Sequence, residues 1–468
     1  MSATTNNATS SLAFSSLNLH KDLLKNLTSL GYQQMTPIQA QSLPLIIQGK
    51  DVIAQAQTGS GKTAAFGLGL LQALDVKKFR IQSMVLCPTR ELADQVAKEI
   101  RKLARATHNI KVLTLCGGTP MGPQIGSLEH GAHIIVGTPG RIEDHLGRGR
   151  LDLSEVNTLV LDEADRMLEM GFQATLDYIF SQCPAQRQNL LFSATFPKQI
   201  KAISEHIMTE PEMVKVESKH DASSISQRFY QVSDNSERIH AVQLLLMEHQ
   251  PESAVIFCNT KVEVQELADS LINKGFSCLA LHGDLEQRDR DQTLVQFANK
   301  SIAVLVATDV ASRGLDIDNL DMVVNYHIAH DPEIHVHRIG RTGRAGSKGI
   351  ACSLISHKEA HKVMKLETYL GHDIEAEELP PLEVLNKAPT TATMVTIQID
   401  GGKKQKVRAG DILGALTSTK KVEGKLIGKI QLFDLRSYVA VDRTIAKVAL
   451  KTINDGKMKG RNFRARIL

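Results

Sequence analysis

The sequence contains no tryptophan, and aromatic residues make up only 4% of its 468 residues. Its 42% hydrophobic residues are therefore mostly aliphatic, so we expect cores of Leu, Ile, Val, Ala and Met. With 23% charged residues, the composition is that of a globular protein. The length allows about three domains.

Long apolar runs and secretory signals are also missing. No run approaches the ~18 apolar residues that a membrane span needs. The first residues, MSATTNNATSS, have neither a basic segment nor an apolar core. We therefore expect a cytoplasmic protein with no membrane partner, and we interpret residues 1–13 as a disordered tail.

None of the six cysteines belongs to a C-x-x-C pair. Most of them lie in apolar runs, such as those ending at Cys87 and Cys258. This pattern is typical of buried free thiols in a reducing compartment, and it does not favour a zinc site.

The small net charge of +4 hides an asymmetry along the chain. Residues 390–468 hold 17 Lys and Arg against 6 Asp and Glu, a charge of +11, which leaves −7 for the remainder. A basic module on a mildly acidic body indicates a domain that binds polyanions, attached to a larger part of the protein with another function.

Short β-branched runs alternate with longer amphipathic stretches from Asp51 onward. The first set reads DVIA, SMVLC, KVLTL, HIIVG, TLVLD and NLLFS; the second reads AVIFC, CLALH, AVLVA, MVVNY and ACSLI. A polar, irregular stretch over residues 210–226 separates the two sets, and we interpret it as a hinge. The alternation predicts two successive α/β domains, each with a helix-covered parallel sheet.

The last 80 residues have a different rhythm. After the acidic, proline-bearing stretch EAEELPPLEVLNKAP, strand-like and helix-like segments follow in the order βαββαβ. We therefore predict a tail at 1–13, α/β domains at 14–213 and 214–370, a linker at 371–390 and a small α/β sandwich at 391–468.

The segment AQTGSGKT, Ala56 to Thr63, lies between an apolar run and a potential helix. This is the context of a phosphate-binding loop, in which glycines let backbone N–H groups surround a phosphate at the positive end of a helix. Lys62 can reach the β- and γ-phosphates, and the Thr63 hydroxyl can bind Mg²⁺. The alternative is a glycine-rich turn before a helix. The predicted nucleotide contacts are Thr58, Gly59, Ser60, Gly61, Lys62 and Thr63.

The segment LDEAD follows the apolar run TLV and brings carboxylates to a strand's carboxyl end. There they can face the phosphate loop across the sheet. Asp162 would hold Mg²⁺ through water, and Glu163 would orient or deprotonate the attacking water. The alternative is an acidic strand-to-helix turn that caps a helix.

With these motifs the chain resembles the DEAD-box RNA helicases from about Phe14 to Ile355. The matching segments, in order, are GYQQMTPIQ, AQTGSGKT, PTREL, Gly117-Gly118, TPGR, LDEAD, SAT, IFCNT, Gln287-x-x-Arg290, TDVASRGLD and HRIGRTGR. His335 stands where the family often has tyrosine. The resemblance implies two tandem RecA-like domains flanking a cleft, with ATP and Mg²⁺ as cofactors.

The resemblance assigns further residues to ATP. Phe14 would pack on the adenine, and Gln39 would read its edge. Gly314 and Asp316 would lie near the ribose and γ-phosphate. Arg341 and Arg344 resemble arginine fingers, whose planar, permanently charged guanidinium groups suit a departing phosphoryl group; in isolation they could be a basic surface turn.

It also assigns residues to RNA and to coupling. The implied contacts with an RNA backbone are Pro88, Thr89, Arg90, Gly118, Thr138, Gly140, Arg141, Gln287, Arg290 and Thr308. For Thr89, Arg90, Arg141 and Thr308, turn and capping chemistry is the alternative. The residues implied to couple the ATP state to domain closure are Asp165, Ser193, Thr195 and His337.

The basic tail resembles that of the bacterial DbpA subgroup, through GGKK, RAGDILGALT, GKIQLFDLRSYVAV and KMKGR. Its βαββαβ order predicts an RNA-recognition-like fold, yet the stacking aromatics of that fold are nearly missing. We therefore expect RNA contacts from loops and basic edges. The subgroup implies recognition of a hairpin of large-subunit ribosomal RNA.

We thus predict a monomeric ATP-dependent RNA helicase that opens short duplexes on pre-ribosomal particles during large-subunit assembly. The alternatives are an ATP-gated RNA clamp that does not unwind, a DNA helicase and a stand-alone binding module. Strand displacement separates the clamp from the helicase, and ATPase stimulation by RNA or DNA separates the two helicases.

Overall fold

The computed structural model describes residues 13–57, 59–196, 198–216, 225–312, 320–343, 348–418 and 422–468. The predicted tail lies outside these residues except for Ala13. Contacts divide the chain into two compact units, residues 1–219 and 220–468. Within the described residues, no helix is long and apolar enough to cross a membrane.

The first unit contains a seven-stranded parallel sheet of order β3-β4-β2-β5-β6-β1-β7. Its strands are β1 (Val52–Gln55), β2 (Ser83–Leu86), β3 (Val112–Leu115), β4 (Ile134–Gly137), β5 (Thr158–Asp162), β6 (Gln188–Ser193) and β7 (Glu212–Lys215). Its helices are α1 (Lys21–Ser29), α2 (Pro37–Ile47), α3 (Lys62–Ala73), α4 (Arg90–Leu103), α5 (Met121–Glu129), α6 (Pro139–Gly147), α7 (Ala164–Glu169), α8 (Gln173–Ser181) and α9 (Lys198–Ile207).

Helices cover both faces of this sheet. Val52 and Ala54 of β1 face one core, which α2, α3 and α4 complete, whereas Ile53 faces a second core completed by helices α6 to α9. Strands buried on both faces read as continuous apolar runs, which is why the sequence displayed them.

The second unit contains a seven-stranded parallel sheet of order β10-β11-β9-β12-β13-β8-β14. Its strands are β8 (Ile225–Gln231), β9 (Ala254–Cys258), β10 (Cys278–Leu281), β11 (Val304–Thr308), β12 (Met322–Asn325), β13 (Gly349–Ile355) and β14 (Ala376–Glu377). The helices are α10 (Asn235–His249), α11 (Lys261–Asn273), α12 (Gln287–Ala298), α13 (Asp309–Ser312), α14 (Pro332–Ile339) and α15 (Ala360–Leu370).

Residues 371–390, predicted as a linker, pack onto this second sheet. They include β14, which pairs with β8, and a 3-10 turn over Leu382–Asn386 whose Val384 is buried in the core of the unit. The Gln250 side chain donates a hydrogen bond to the Ala388 carbonyl at 3.1 Å. The connection to the C-terminal residues is therefore tied down over much of its length.

The C-terminal module, residues 391–468, has an antiparallel sheet of order β16-β17-β15-β18. Its elements are β15 (Met394–Ile399), α16 (Ala409–Thr417), β16 (Ile427–Leu432), β17 (Ser437–Asp442), α17 (Ala446–Asp455) and β18 (Ala465–Ile467). The two helices cover one face of the sheet and share its core. The predicted fold class, two RecA-like parallel-sheet domains and a βαββαβ module, is confirmed.

The other face of the module's sheet packs against the end of α12. Thr396, Gln398 and Tyr438 are at most 3% exposed. Asn299 donates to Thr396 at 3.1 Å, and Gln292 donates to Gln398 at 2.8 Å. The face that RNA-recognition folds commonly use for stacking is thus occupied by the chain itself.

Candidate nucleotide and RNA site

The strand order sorts the predicted site residues of the first unit into two groups. The phosphate loop follows β1, Asp162 ends β5 and Ser193 ends β6, and these three strands are neighbours. The PTREL, Gly117-Gly118 and TPGR segments follow β2, β3 and β4, which are also neighbours. Ligands of such sheets bind at the carboxyl ends of the strands. We name the two groups after their predicted ligands: the first is the nucleotide half of this edge, and the second is the RNA half.

The phosphate loop has the backbone that its glycines permit. Gly59 and Gly61 have φ values of 84° and 94°, a region that residues with a Cβ rarely adopt. Helix α3 begins at Lys62, so its positive end faces the loop, with Thr63 in its first turn. The Ser60 hydroxyl donates to the Gln57 carbonyl at 2.7 Å, and Thr58 lies outside the described residues.

The Lys62 side chain is held inside the phosphate loop by a hydrogen bond. The residue is only 6% exposed, and its ammonium donates to the Ala56 carbonyl at 2.7 Å. A phosphate can replace this carbonyl as the acceptor, since a charge-assisted bond to phosphate is the stronger one.

Gln39 links the predicted adenine segment to the phosphate loop. Its side-chain carbonyl accepts from the Thr36 backbone at 2.9 Å, and its amide donates to the Gly61 carbonyl at 3.0 Å. A Cβ on Gly61 would overlap this amide. Each half of the Gln39 amide keeps one further hydrogen-bonding capacity, which an adenine edge can use.

Phe14 lies deeper than its predicted role suggests. Its ring is 2% exposed and meets Tyr32 edge to face, with the centroids 6.2 Å apart. Its contact with an adenine base stays a prediction.

Asp162 and Glu163 lie at the turn from β5 into α7, and both are buried. Burial raises the pKa of Asp162 to about 7, against the lowering effect of the nearby Lys62 charge. Glu163 has φ 51°, in the left-handed region that costs a residue with a Cβ of order 1–3 kcal/mol. Such strain at the predicted catalytic residue is the kind that functional sites retain.

The residues at this edge fit Mg²⁺ as a partner of bound nucleotide. Asp162 is a buried carboxylate beside the hydroxyl-bearing first turn of α3, and hard oxygen ligands are those that Mg²⁺ prefers. Among the described residues, no group of three or more His, Cys, Asp or Glu converges to hold a metal. The remaining ligands would therefore be phosphate oxygens and water.

Asp165 connects the LDEAD and SAT segments directly. Its carboxylate accepts from the Thr195 backbone at 3.1 Å and from the Thr195 hydroxyl at 2.8 Å, while its own N–H donates to the Ser193 hydroxyl. Burial works to raise the pKa of Asp165, but the Arg166 charge and these hydrogen bonds outweigh it and hold the pKa below its usual range. Three of the four predicted coupling residues are therefore in contact.

The RNA half of the edge is tied together by arginines. Arg90, in the PTREL segment with Pro88 and Thr89, packs over Gly118, where a Cβ would overlap its guanidinium. Arg141 donates twice to the Thr119 carbonyl, at 3.1 and 3.2 Å.

Helix starts shape the same half. Thr89 caps α4 by accepting from the Leu92 N–H at 3.3 Å, and Thr138 precedes α6, in whose first turn Gly140 lies. Capping chemistry, the alternative given for Thr89, is therefore present. It does not exclude a contact with RNA.

The second unit brings its three predicted RNA residues to one place. Gln287 and Arg290 open α12, and the Arg290 guanidinium donates to the Ala311 carbonyl at 3.3 Å. The Ala311 N–H in turn donates to the Thr308 hydroxyl at 3.3 Å, at the end of β11.

Arg341 lies in the turn that follows α14, where its carbonyl accepts from the Leu320 N–H at 3.1 Å. His337 is half-buried on α14 itself. Gly314, Asp316 and Arg344 lie outside the described residues, so their predicted roles stay predictions.

Several residues that the sequence did not single out hold this site in shape. Arg338 makes a bidentate pair with Asp309, both bonds at 2.7 Å, which ties α14 to α13. In the first unit, Gln124 and His145 are hydrogen-bonded beneath the Gly117–Thr119 loop. Arg338 and Asp309 sit inside quoted motifs and could have been named from them, whereas Gln124 and His145 carried no signal.

Three family models match the chain: a DEAD/DEAH box helicase model over residues 36–203, a helicase conserved C-terminal domain over 237–346, and a DbpA RNA binding domain over 396–467. Together they match six strands of the first sheet, four of the second and most of the C-terminal module.

Curated relatives and solved structures agree with the family models. The ATP-dependent RNA helicase DbpA of Escherichia coli K12 is 53% identical over 97% of this chain and 99% of its own length. The DEAD-box ATP-dependent RNA helicase CshA of Bacillus subtilis is 45% identical over 80% of this chain and 75% of its own length. Saccharomyces cerevisiae Dbp5, solved with RNA and ADP BeF3, is 32% identical with a TM-score of 0.70, over 79% of this chain and 95% of that one.

Proposed function

The chain belongs to the DEAD-box ATP-dependent RNA helicases of the DbpA type, and we propose that it opens short RNA duplexes beside a hairpin of large-subunit ribosomal RNA during assembly of that subunit. In this proposal it works as a monomer on pre-ribosomal particles in the bacterial cytoplasm. ATP hydrolysis opens the duplex, and the C-terminal module determines which RNA the protein acts on by binding the hairpin.

One observation carries the targeting part: basic loops gather at one end of the module's sheet. Ile399, the last residue of β15, pairs with Ser437 and with Ala465, the first residues of β17 and β18. The loops at 400–408, 433–436 and 456–464 therefore leave the sheet at the same end. Together they contain nine Lys and Arg but only two Asp. We call these three loops the basic end.

Hydrogen bonds fix the basic end as a built surface. The backbone N–H groups of Lys403 and Lys404 donate to the carbonyls of Phe433 and Asp434, both at 2.9 Å. The Lys459 ammonium donates to the Lys406 carbonyl at 2.9 Å and pairs with Asp411 at 3.0 Å. The phosphates of a folded hairpin match such a preformed cationic surface, because binding releases counterions without reordering the loops.

The docked sheet face supports the same assignment. Thr396, Gln398 and Tyr438 are covered by the residues around α12, so bases cannot stack on them while the module stays docked. RNA contact is thereby left to the basic end. This arrangement also accounts for the scarcity of aromatic residues on the sheet.

In this proposal, each residue assigned to ATP has its own role in hydrolysis. Lys62 binds the phosphates, and Glu163 takes the proton of the attacking water. Bound through Thr63 and Asp162, Mg²⁺ would neutralise charge on the β- and γ-phosphates. Arg341 and Arg344 would stabilise the charge that develops as the γ-phosphoryl group departs.

Asp165 then reports the state of the nucleotide to the SAT segment. Its carboxylate, two residues after Glu163 in the chain, holds Thr195 by two hydrogen bonds. A shift at the LDEAD turn on phosphate release therefore moves the end of β6 with it.

The test is stimulation of ATP hydrolysis by a panel of large-subunit ribosomal RNA fragments, using the full chain. We expect one hairpin-bearing fragment to half-saturate at a concentration at least about tenfold below the others, a difference of 1.4 kcal/mol. The double variant Lys403→Glu, Lys457→Glu should lose this preference. The matched control, Lys429→Glu with Lys447→Glu, makes the same charge change on exposed lysines outside the basic end.

Equal stimulation by every fragment would remove the targeting proposal while leaving the helicase assignment intact. Loss of the preference in the control as well as in the test variant would show that net charge, and not the basic end, selects the RNA.

A further inference from the structure

A buried histidine supports the RNA half of the first unit from below. His145 lies on α6, one turn after Arg141, and its side chain is fully buried. Its Nε2 is 2.9 Å from Oε1 of Gln124, which projects from α5. Neither residue belongs to a motif quoted above.

The partners of Gln124 fix the orientation of its amide. Its nitrogen is 2.9 Å from the Cys116 carbonyl and 2.6 Å from the Thr119 hydroxyl. A carbonyl can only accept, so the amide nitrogen must face Cys116, and the amide oxygen must face His145.

This orientation in turn fixes the state of His145. Nε2 must carry a proton to donate to the Gln124 oxygen, and Nδ1 has no hydrogen-bond partner among the described residues. Burial, together with the Arg141 charge, lowers the pKa of His145. The ring is therefore neutral, with its single proton on Nε2.

The loop that this pair holds lies between two predicted RNA contacts. Thr119 accepts from Gln124 through its hydroxyl and from Arg141 through its carbonyl. Gly118, with φ 69°, precedes Thr119 and lies under the Arg90 guanidinium. The pair thus sets the spacing between the loop that follows β3 and the start of α6.

We propose that His145 and Gln124 are positioning residues for the RNA strand: they hold the Gly117–Thr119 loop in register with Arg141, so that both segments meet one RNA backbone. Neither residue touches RNA. The inference rests on the proposed assignment of Gly118 and Arg141 to RNA contact.

The matched variants are His145→Leu, which removes the donor, and His145→Gln, whose side-chain nitrogen reaches the same point as Nε2. The measurement is ATP hydrolysis against the concentration of single-stranded RNA. For His145→Leu we expect the half-saturating RNA concentration to rise about tenfold, on the scale of one lost buried hydrogen bond. Turnover at saturating RNA and the KM for ATP should stay within about twofold, and His145→Gln should restore most of the RNA affinity.

Gln124→Met gives the same test at a half-buried position, should His145→Leu fold poorly. Adding His145→Leu to Gln124→Met should change RNA affinity little further, because Gln124→Met already removes the bond that His145 makes. Ser127→Ala, which deletes a hydrogen bond of α5 to the Pro123 carbonyl, is the control and should change nothing.

Arg141→Ala distinguishes a failure of the positioning role of His145 and Gln124 from a failure of the RNA assignment itself. If it weakens RNA binding while His145→Leu and Gln124→Met do not, the positioning role is wrong and the RNA site stands. If Arg141→Ala also leaves RNA binding unchanged, the assignment of this half to RNA fails. A fall in turnover without a change in half-saturating RNA would likewise overturn the positioning role.

Discussion

Glu163, the proposed general base, has an unfavourable backbone conformation. Its φ of 51° directs the chain from β5 into α7, and the residue is 8% exposed. A glycine would relieve the strain but would remove the carboxylate. The retention of a charged side chain here is therefore what a general base at this point requires.

Replacing Glu163 by glutamine tests this role. The amide keeps the shape but cannot accept a proton, so we expect ATP turnover to fall at least about 100-fold while ATP still binds. RNA bound together with ATP should then dissociate more slowly, because hydrolysis no longer releases it. Glu155→Gln, an exposed carboxylate paired with Lys78, is the control. Turnover within a few-fold of the parent would refute the role of Glu163.

His335 makes the second unit sensitive to acid. It is 1% exposed and stacked on Phe229, and burial, together with the Arg338 charge, lowers its pKa to about 3. The unfolded chain binds a proton there near pH 6.5, whereas the folded chain does not. The contribution of His335 to stability therefore declines as the pH falls from about 6.5 towards 3.

His335→Phe should remove this acid sensitivity. Between pH 7.5 and 5.5 the parent should lose about 1.4 kcal/mol more than the variant. The measurement is urea-induced unfolding of both full chains at the two pH values. His327 and Glu359 titrate in both chains, so their opposite contributions cancel in the comparison. Equal pH dependence of the two chains would contradict the assignment.

The strands that the sequence pattern predicted are more buried than β7, which it did not predict. The apolar runs predicted eleven strands of the two large sheets, and all eleven exist with ends shifted by at most two residues. The stretch 210–226, interpreted as a hinge, contains the boundary between the two units, but β7 and the start of β8 lie at its ends and were not predicted. Only Val214 of β7 is buried, because β7 is an edge strand. Apolar runs report burial on both faces, which β7 lacks.

The docked face of the C-terminal module could not be predicted either. MVTIQID alternates apolar and polar residues, which indicates one buried and one exposed face. The polar face is buried all the same, because Thr396 and Gln398 meet polar groups about 100 residues earlier in the chain. Single-sequence patterns contain no information about such long-range pairs.

The double variant Gln292→Ala, Asn299→Ala tests the docking. It removes the bonds that Thr396 and Gln398 receive from Asn299 and Gln292, at about 0.5–1.5 kcal/mol each, and so weakens the docking. Thr396 keeps Ser301 as a partner, and Gln398 keeps Asp400 and Arg466. We expect faster hydrogen exchange in β15 and faster proteolysis near residue 390. The exposed Arg288→Ala on the same helix should change neither. Unaltered exchange in the double variant would show that other contacts dominate.

In the whole molecule, the module proposed to bind RNA and the part that carries the nucleotide motifs differ in net charge. The module carries +11 on a body of −7, and nine of its cations lie in the loops of the basic end. Sequence reasoning recovered this division and the nucleotide motifs because both are local in the chain. It missed Gln124 and His145, whose function arises only where two helices meet beneath a loop.

Salt dependence measures how many of these cations contact phosphate. Binding of a hairpin should weaken linearly on a log–log plot of affinity against salt, with a slope of about −0.7 to −0.9 per phosphate contact. Lys403→Glu with Lys457→Glu should reduce the magnitude of the slope by about 1.4 to 1.8, whereas Lys429→Glu with Lys447→Glu should leave it nearly unchanged. Fluorescence anisotropy of a labelled hairpin gives the slope for the parent and for each of the two variants. Identical slopes in all three proteins would move the RNA site away from the basic end.

Strand displacement tests the central claim most directly. Two substrates carry the same short duplex, one joined to a large-subunit ribosomal RNA hairpin and one joined to a scrambled hairpin of equal length. We predict ATP-dependent displacement at least about tenfold faster for the first, with the difference lost in Lys403→Glu, Lys457→Glu. Equal rates on both substrates, or retention of the hairpin without displacement, would contradict the account of a helicase directed by its basic end.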